Sequence, residues 1–290
     1  MTLPQNGFRL TLFFLFFVLV CQAQTLSLPF NPTVGSCYKV EIITDTYYDM
    51  ELDFASQTSL VSNTQSYSLY SFTTLECRDE GYHISFACDS SSYSMSTGVD
   101  SFAGFQPGGY NSQTNNNFLL GKTLLLFVSK QGKILDIQGI EELVSSFPSI
   151  PSGFNITKML TNKIKEYVRL VIPENAPSSL SVGQTWYCDE NENIGQYQLI
   201  AFNDVFADLL FRRTIIPEEN DDPIELMGIT MKTKESGSME GTLKVNVKTG
   251  WVMESVWEKN VITEIKAGNL STIMRDMLRK EKITVKEVGR

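Results

Sequence analysis

Apolar and polar residues alternate along most of this chain, with a period of two that predicts β-strands. In the N-terminal half the pattern covers Cys37–Thr44, Tyr47–Phe54, Ser66–Cys77 and Tyr82–Ser90, and then Leu124–Val128 and Lys133–Ile137 around the turn Lys130-Gln131-Gly132. In the C-terminal half it covers Gln196–Phe202, Val205–Ile216, Gly228–Lys234, Gly241–Val247, Trp251–Lys259, Val261–Ala267 and Ile283–Val288. So many strands joined by short turns predict a mainly β fold of two related, curved antiparallel sheets, half-barrel or sandwich-like. Two segments change period. From Asn155 to about Val171, Ile156, Leu160, Ile164, Tyr167, Val168 and Val171 share one helical face, and Pro173 ends the run. A shorter helix, Ile140–Phe147, precedes it and stops at Pro148. One or two amphipathic helices therefore connect the strands.

The halves resemble each other. Val34-Gly35-Ser36-Cys37-Tyr38 parallels Val182-Gly183-Gln184-Thr185-Trp186, each at a strand start. The run from Gly121 through Gly132 to Asp136 parallels the one from Gly241 through Gly250 to Glu254: strand, glycine turn, strand. This implies an internal duplication, with a first β-rich half at 24–147, a helical connector at 148–178 and a second half at 179–290. The first half carries an insertion expected at Ser90–Asn117, whose Ser, Gly, Asn and Gln content reads as an extended loop.

The first 23 residues stand apart. Arg9 precedes an apolar run from Leu10 to Val20, and Cys21-Gln22-Ala23 forms a small-x-small site. These are the three parts of a cleavable secretory signal peptide. The run is about half the roughly 20 apolar residues that span a bilayer, and no other segment reaches that length. Val20 stands before Cys21 where lipoprotein signals carry Gly, Ala or Ser. A cleaved, secreted or periplasmic product is therefore expected over a lipid-anchored one.

Charge narrows the partners. The chain has a formal net charge of −9, and loss of Arg9 makes it one unit more negative. That balance disfavours nucleic acid and anionic membrane surfaces. After cleavage four cysteines remain, Cys37, Cys77, Cys88 and Cys188, all candidate disulfide partners in an exported chain with three connectivities open. The stretch Ser71–Cys88 reads as a hairpin turning at Glu80-Gly81, with Cys77 opposite Ile84. Cys77 and Cys88 would then lie about 13 Å apart, beyond disulfide reach. The pairings 37–88 with 77–188, and 37–77 with 88–188, remain, as does no bridge at all if the thiols are simply buried.

The Val-Gly-x-x-Tyr/Trp opening, the Gly-x-Leu…Thr-Gly-x-Val/Ile hairpin and the phenylalanine-rich leader resemble a family of uncharacterised secreted proteins of Bacteroidetes-type bacteria. That family is a domain of unknown function, so the resemblance implies a fold and no activity. A looser likeness is to periplasmic lipoprotein carriers, where a curved antiparallel sheet holds apolar cargo under a helical lid. It rests on strand order around one amphipathic helix and is an analogy of fold.

Candidate chemistry is sparse, and no cofactor or metal is implied. His83 is the only histidine. The hairpin register turns it outward with Arg78 opposite, which suits a surface residue and not a base held by a carboxylate. The acidic runs Glu218-Glu219-Asn220-Asp221-Asp222 and Asp189-Glu190-Asn191-Glu192-Asn193 lack calcium-loop spacing and read as solvated loops. There is no P-loop and no strand-linked G-x-G-x-x-G. The chain is therefore expected not to be an enzyme, but an envelope binding or carrier protein with an apolar groove for a lipid or other apolar ligand. Tyr38, Val40, Phe72, Leu75, Ile84 and Phe86 from the strands and Leu160, Ile164 and Tyr167 from the helix would line that groove. Phe102, Phe105 and Tyr110 would join from the inserted loop. A structural or protein-interaction module and a hydrolase using carboxylates alone are the alternatives.

Overall fold

The computed structural model describes residues 25–52, 58–100, 112–113, 119–145, 156–188, 195–219, 224–226, 229–267 and 273–288. The signal peptide, both acidic runs beyond Glu219 and Cys188, and Phe102, Phe105 and Tyr110 lie outside them.

The fold is mainly β, antiparallel and not closed, with two short helices. In chain order the strands are β1 (Thr25–Leu26), β2 (Cys37–Leu52), β3 (Thr58–Cys77), β4 (Gly81–Asp100), β5 (Ser112–Gln113), β6 (Thr123–Ser129) and β7 (Ile134–Gln138). The helices α1 (Ile140–Ser145) and α2 (Ile156–Arg169) follow. Then come β8 (Leu180–Ser181), β9 (Thr185–Tyr187), β10 (Gly195–Phe202), β11 (Phe206–Glu219), β12 (Ile224–Leu226), β13 (Ile229–Asn246), β14 (Val252–Ala267) and β15 (Ile273–Val288). Among the described residues β1 and β8 form a two-stranded sheet. All others join a 13-stranded sheet ordered β7-β6-β4-β3-β2-β15-β14-β13-β11-β10-β9, with β5 and β12 as side additions. The sheet division thus does not follow the division into halves, which meet edge to edge where β15 pairs β2 from Val288↔Cys37 to Met274↔Glu51.

The strands outrun the hydrophobic pattern. Cys37–Thr44 and the described part of the next predicted strand, as far as Leu52, are one strand, because Asp45 and Thr46 keep their ladder partners on both sides. The two predicted strands on either side of Glu235-Ser236-Gly237-Ser238 likewise fuse into Ile229–Asn246, paired to β11 and β14. The loop expected at Ser90–Asn117 is a strand as far as Asp100, since Ser90–Asp100 pairs Leu69–Ser59. Ladder hydrogen bonds run through the backbone and are indifferent to side-chain polarity, whereas the alternation of apolar residues reports only burial.

Inward residues of the central strands build the core, with Tyr38, Val40 and Ile42 on β2, Tyr70 and Phe72 on β3, and Tyr82, Ile84 and Phe86 on β4. The sheet continues with Leu209 and Phe211 on β11, Leu243 and Val245 on β13, and Ile283 and Val285 on β15. Helix α2 lays Ile156, Leu160, Ile164 and Val168, spaced four residues apart, onto this face. Its exit is anchored from several sides. The Val252 N–H donates to the Val171 carbonyl, Trp186 Nε1 donates to the Glu174 carbonyl at 3.1 Å, and Arg169 Nε donates to the buried Glu174 carboxylate at 3.1 Å. Leu26, Leu28 and Phe30 are also buried, so the segment that follows the expected cleavage site is part of the core.

The matched motifs of the two halves share backbone conformations. Gly35 and Gly183 take φ of 81° and 86°, and Gly132 and Gly250 take 79° and 76°, the left-handed region that favours glycine.

A candidate ligand cleft beside a filled core

The groove expected over the first half is filled. Tyr38 stacks on Trp251 at 4.5 Å between ring centroids, Phe72 meets Phe86 at 4.9 Å, and Tyr70 meets Phe86 at 5.3 Å. Helix α2 closes the cluster with Tyr167, 5.0 Å from Tyr70, while Leu160 and Ile164 have no exposed surface. Phe30 reaches in from the N-terminal segment, 5.5 Å from Trp251. Tyr38, Phe72, Ile84, Phe86, Leu160, Ile164 and Tyr167 are therefore brought together as predicted, but as a core and not as the lining of a cavity. Phe30 and Trp251, which the expected groove did not include, arrive from the N-terminal segment and from the turn before β14. Leu75 points away, half-exposed beside a bulge.

The same bulge, between Thr74 and Glu76, shifts the hairpin register, so that Cys77 faces Tyr82 and Glu76 faces His83. His83 thus differs from expectation: its Nδ1 lies 2.5 Å from Glu76 Oε1, its ring lies edge-on to Phe127, and Arg78 Nε bonds the same Glu76 oxygen at 2.8 Å. Bonds from His83 and Arg78 hold the Glu76 carboxyl below the usual carboxylate range. His83 is oriented by a carboxylate after all, one shared with Arg78 at the end of the hairpin.

None of Cys37, Cys77, Cys88 and Cys188 forms a disulfide. The register explains why no two-bridge connectivity fits. Each of the three must join two of Cys37, Cys77 and Cys88. Cys37 pairs with Thr73, four residues from Cys77 along β3, or about 13 Å. Cys88 sits opposite Tyr70 on β4, two strand spacings or about 10 Å sideways from β2. Cys77 and Cys88 are separated along β4 by the six residues from Tyr82, about 20 Å. All exceed disulfide reach. Burial and the neighbouring Asp89 push the Cys88 thiol up to about 11.

Open space lies on the second half. A cleft of about 410 Å³ runs between α2 and the inner faces of β10, β11, β13 and β14. Its floor is built in two cross-strand rows. In the inner row Tyr197, Phe211, Gly241 and Trp257 face one another in register. Gly241 makes the row continuous: a Cβ there would sit 2.3 Å from the Trp257 ring, so glycine lets the indole cross β13 and reach Phe211 at 5.1 Å. In the outer row Gly195, Arg213, Met239 and Lys259 face one another, and Ile215 and Glu235 extend the floor. The wall comes from Asn162, Lys165, Glu166 and Arg169 of α2, with Leu170 just beyond.

The charges of the cleft are unequally satisfied. Arg169 is paired with Glu174, and Glu166 with Lys163. Arg213 Nε is shut off from solvent with no hydrogen-bond partner among the described residues. Burial holds the Tyr197 phenol far above its usual range, so it stays neutral. None of these residues was singled out from the sequence. The available signal was parity, since Arg213 falls on the same face as Leu209 and Phe211, a position where a core residue is expected. Among the described residues no group of three or more His, Cys, Asp and Glu side chains is placed to hold a metal ion. No helix there is long and apolar enough to cross a membrane.

An open, curved antiparallel sheet covered by a helix defines the class. The chain belongs to a family of unknown function (DUF6263), whose profile matches residues 79–252. No curated protein matches it in sequence. Among solved structures it is similar to a lipovitellin chain described for its lipid–protein interactions, with a TM-score of 0.49 and 9% identity over 90% of this chain. This chain spans 26% of that one. It is similar at a TM-score of 0.25 and 8% identity to the COG4313 outer membrane channel from Pseudomonas putida F1, covering 88% of this chain and 96% of that one. A further match, at a TM-score of 0.23 and 5% identity, is OccAB4 of Acinetobacter baumannii, covering 88% and 99%.

Proposed function

We propose that this is an exported, non-enzymatic binding or carrier protein that takes a small, largely apolar ligand into the cleft between α2 and the second half of the sheet. The observation that carries the reading is the cleft itself: about 410 Å³, with an apolar floor of Phe211, Trp257, Met239 and Ile215 beside charged Arg213, Glu235 and Lys259, and a wall from one helix. That volume falls in the lower part of the range of about 300–1,000 Å³ typical of small-molecule sites, which are mostly apolar with a few polar groups. Export rests on the Leu10–Val20 leader and on the small-x-small site Cys21-Gln22-Ala23 that follows it. Maturation without a lipid anchor follows from Val20. The acidic balance makes nucleic acid an unsuitable partner. The shared turn conformations support a duplication of one half.

Organic extraction of the protein purified from its native source, followed by mass spectrometry, tests the reading, with binding of neutral N-phenyl-1-naphthylamine as a second readout. A co-purifying amphiphile or saturable dye binding is expected. An empty extract together with no dye binding overturns it.

A second reading, as a protein-interaction module, is favoured by one observation. Strand β7 ends the sheet order, and a groove of about 480 Å³ runs between it, α1 and α2. Addition of a partner strand there would be read by crosslinking in the native envelope.

A further inference from the structure

We infer that the ligand of this cleft is a single-chain amphiphile with an anionic head, such as a fatty-acid carboxylate, and that Arg213 takes the head group. The inference rests on the reading of the cleft as a ligand site and adds the ligand's charge. The whole chain is strongly acidic, yet this wall and floor carry Lys165, Arg169, Arg213 and Lys259 against Glu166 and Glu235. Removing the internal pairs, Arg169 with Glu174 and Glu166 with Lys163, leaves three cations facing one carboxylate. Arg213 and Lys259 flank Met239 in a single cross-strand row, one strand apart on either side, so their backbones are about 10 Å apart. An anion seated over Met239 lies between them, with its tail on Phe211 and Trp257.

The guanidinium supplies the strongest argument. A buried N–H of a charged group is costly to leave without an acceptor. Arg213 Nε is in that state among the described residues, and a carboxylate is the acceptor that matches a guanidinium fork. One tail suffices for the volume, which is small for two.

Calorimetric titration of the full mature chain with laurate, 1-dodecanol and dodecyltrimethylammonium tests this. Laurate is expected to bind at least about 10-fold tighter than the alcohol, with the cation weakest. Arg213→Met should remove that preference, Arg213→Lys should retain part of it, and circular dichroism would check that each variant folds. Should Arg213→Met not fold, Lys259→Met is expected to lower the laurate preference alone. If alcohol and laurate bind equally, the head-group inference fails while the reading of the cleft as a ligand site stands. If no probe binds, the carrier reading fails with it.

Discussion

The inner faces of the two halves begin alike and end differently. Over β2, β3 and β4 the space under α2 is packed solid by Tyr38, Tyr70, Phe72 and Phe86, with Trp251 and Phe30 inserted from elsewhere. Over β10, β11, β13 and β14 an equally aromatic row, Tyr197, Phe211 and Trp257, is followed by Arg213, Met239 and Lys259, and the packing stops. One helix covers both faces, so the helix does not make the difference. What differs is supply. The first face receives two extra rings from distant segments, and the second receives flexible, charged side chains that do not fill space. A core ends where the apolar volume available to it ends.

The comparison can be broken by mutation. The largest effect is expected from Phe86→Ala, which removes a ring touching both Tyr70 and Phe72; it should cost about 3–5 kcal/mol in chemical denaturation. A loss under about 1 kcal/mol would mean that the first face is looser than described. Gly241→Ala should cost about 1–3 kcal/mol, because its Cβ displaces the Trp257 ring, and it should perturb Trp257 fluorescence. Enlargement separates the two faces directly. Ile84→Phe on the filled face should cost about 1–3 kcal/mol, whereas Met239→Phe, which has the cleft to expand into, should change stability by no more than about 0.5 kcal/mol. Equal costs would erase the distinction.

The smallest effect lies outside both faces, at the hairpin tip. The folded-state pKa of Glu76 is depressed, so its stabilising contribution is present above the unfolded value near 4.3 and is lost as pH falls through the lower folded value. Wild type and Glu76→Gln should therefore differ slightly in melting temperature at pH 7 and converge in strongly acidic buffer. A gap that persists there would assign the effect to packing.

Much of the fold was legible in the chain. Period-two alternation located most strands, and the four-residue spacing of Ile156, Leu160, Ile164 and Val168 located α2 to within two residues at each end. The strand extensions through Asp45-Thr46, Glu235–Ser238 and Ser90–Asp100 were not legible, because a polar stretch extends a ladder without leaving a hydrophobic trace. The hairpin register was misplaced by a bulge, and with it the partners of His83 and the geometry of the cysteines.

The candidate site divides in the same way. Sequence alone determined that the chain is mainly β, acidic, poor in catalytic motifs, and carries one amphipathic helix between two runs of strands. It also determined that Arg213 shares a face with Phe211, since parity along one strand is a local property. Only the tertiary structure decided which face is full and which is open. That outcome depends on Phe30 and Trp251 entering one face, and on Lys165, Met239 and Lys259 meeting Arg213 at the other, from segments far apart in the chain. Side-chain alternation tells which way a residue points, but whether anything else occupies that direction is fixed by long-range register and packing.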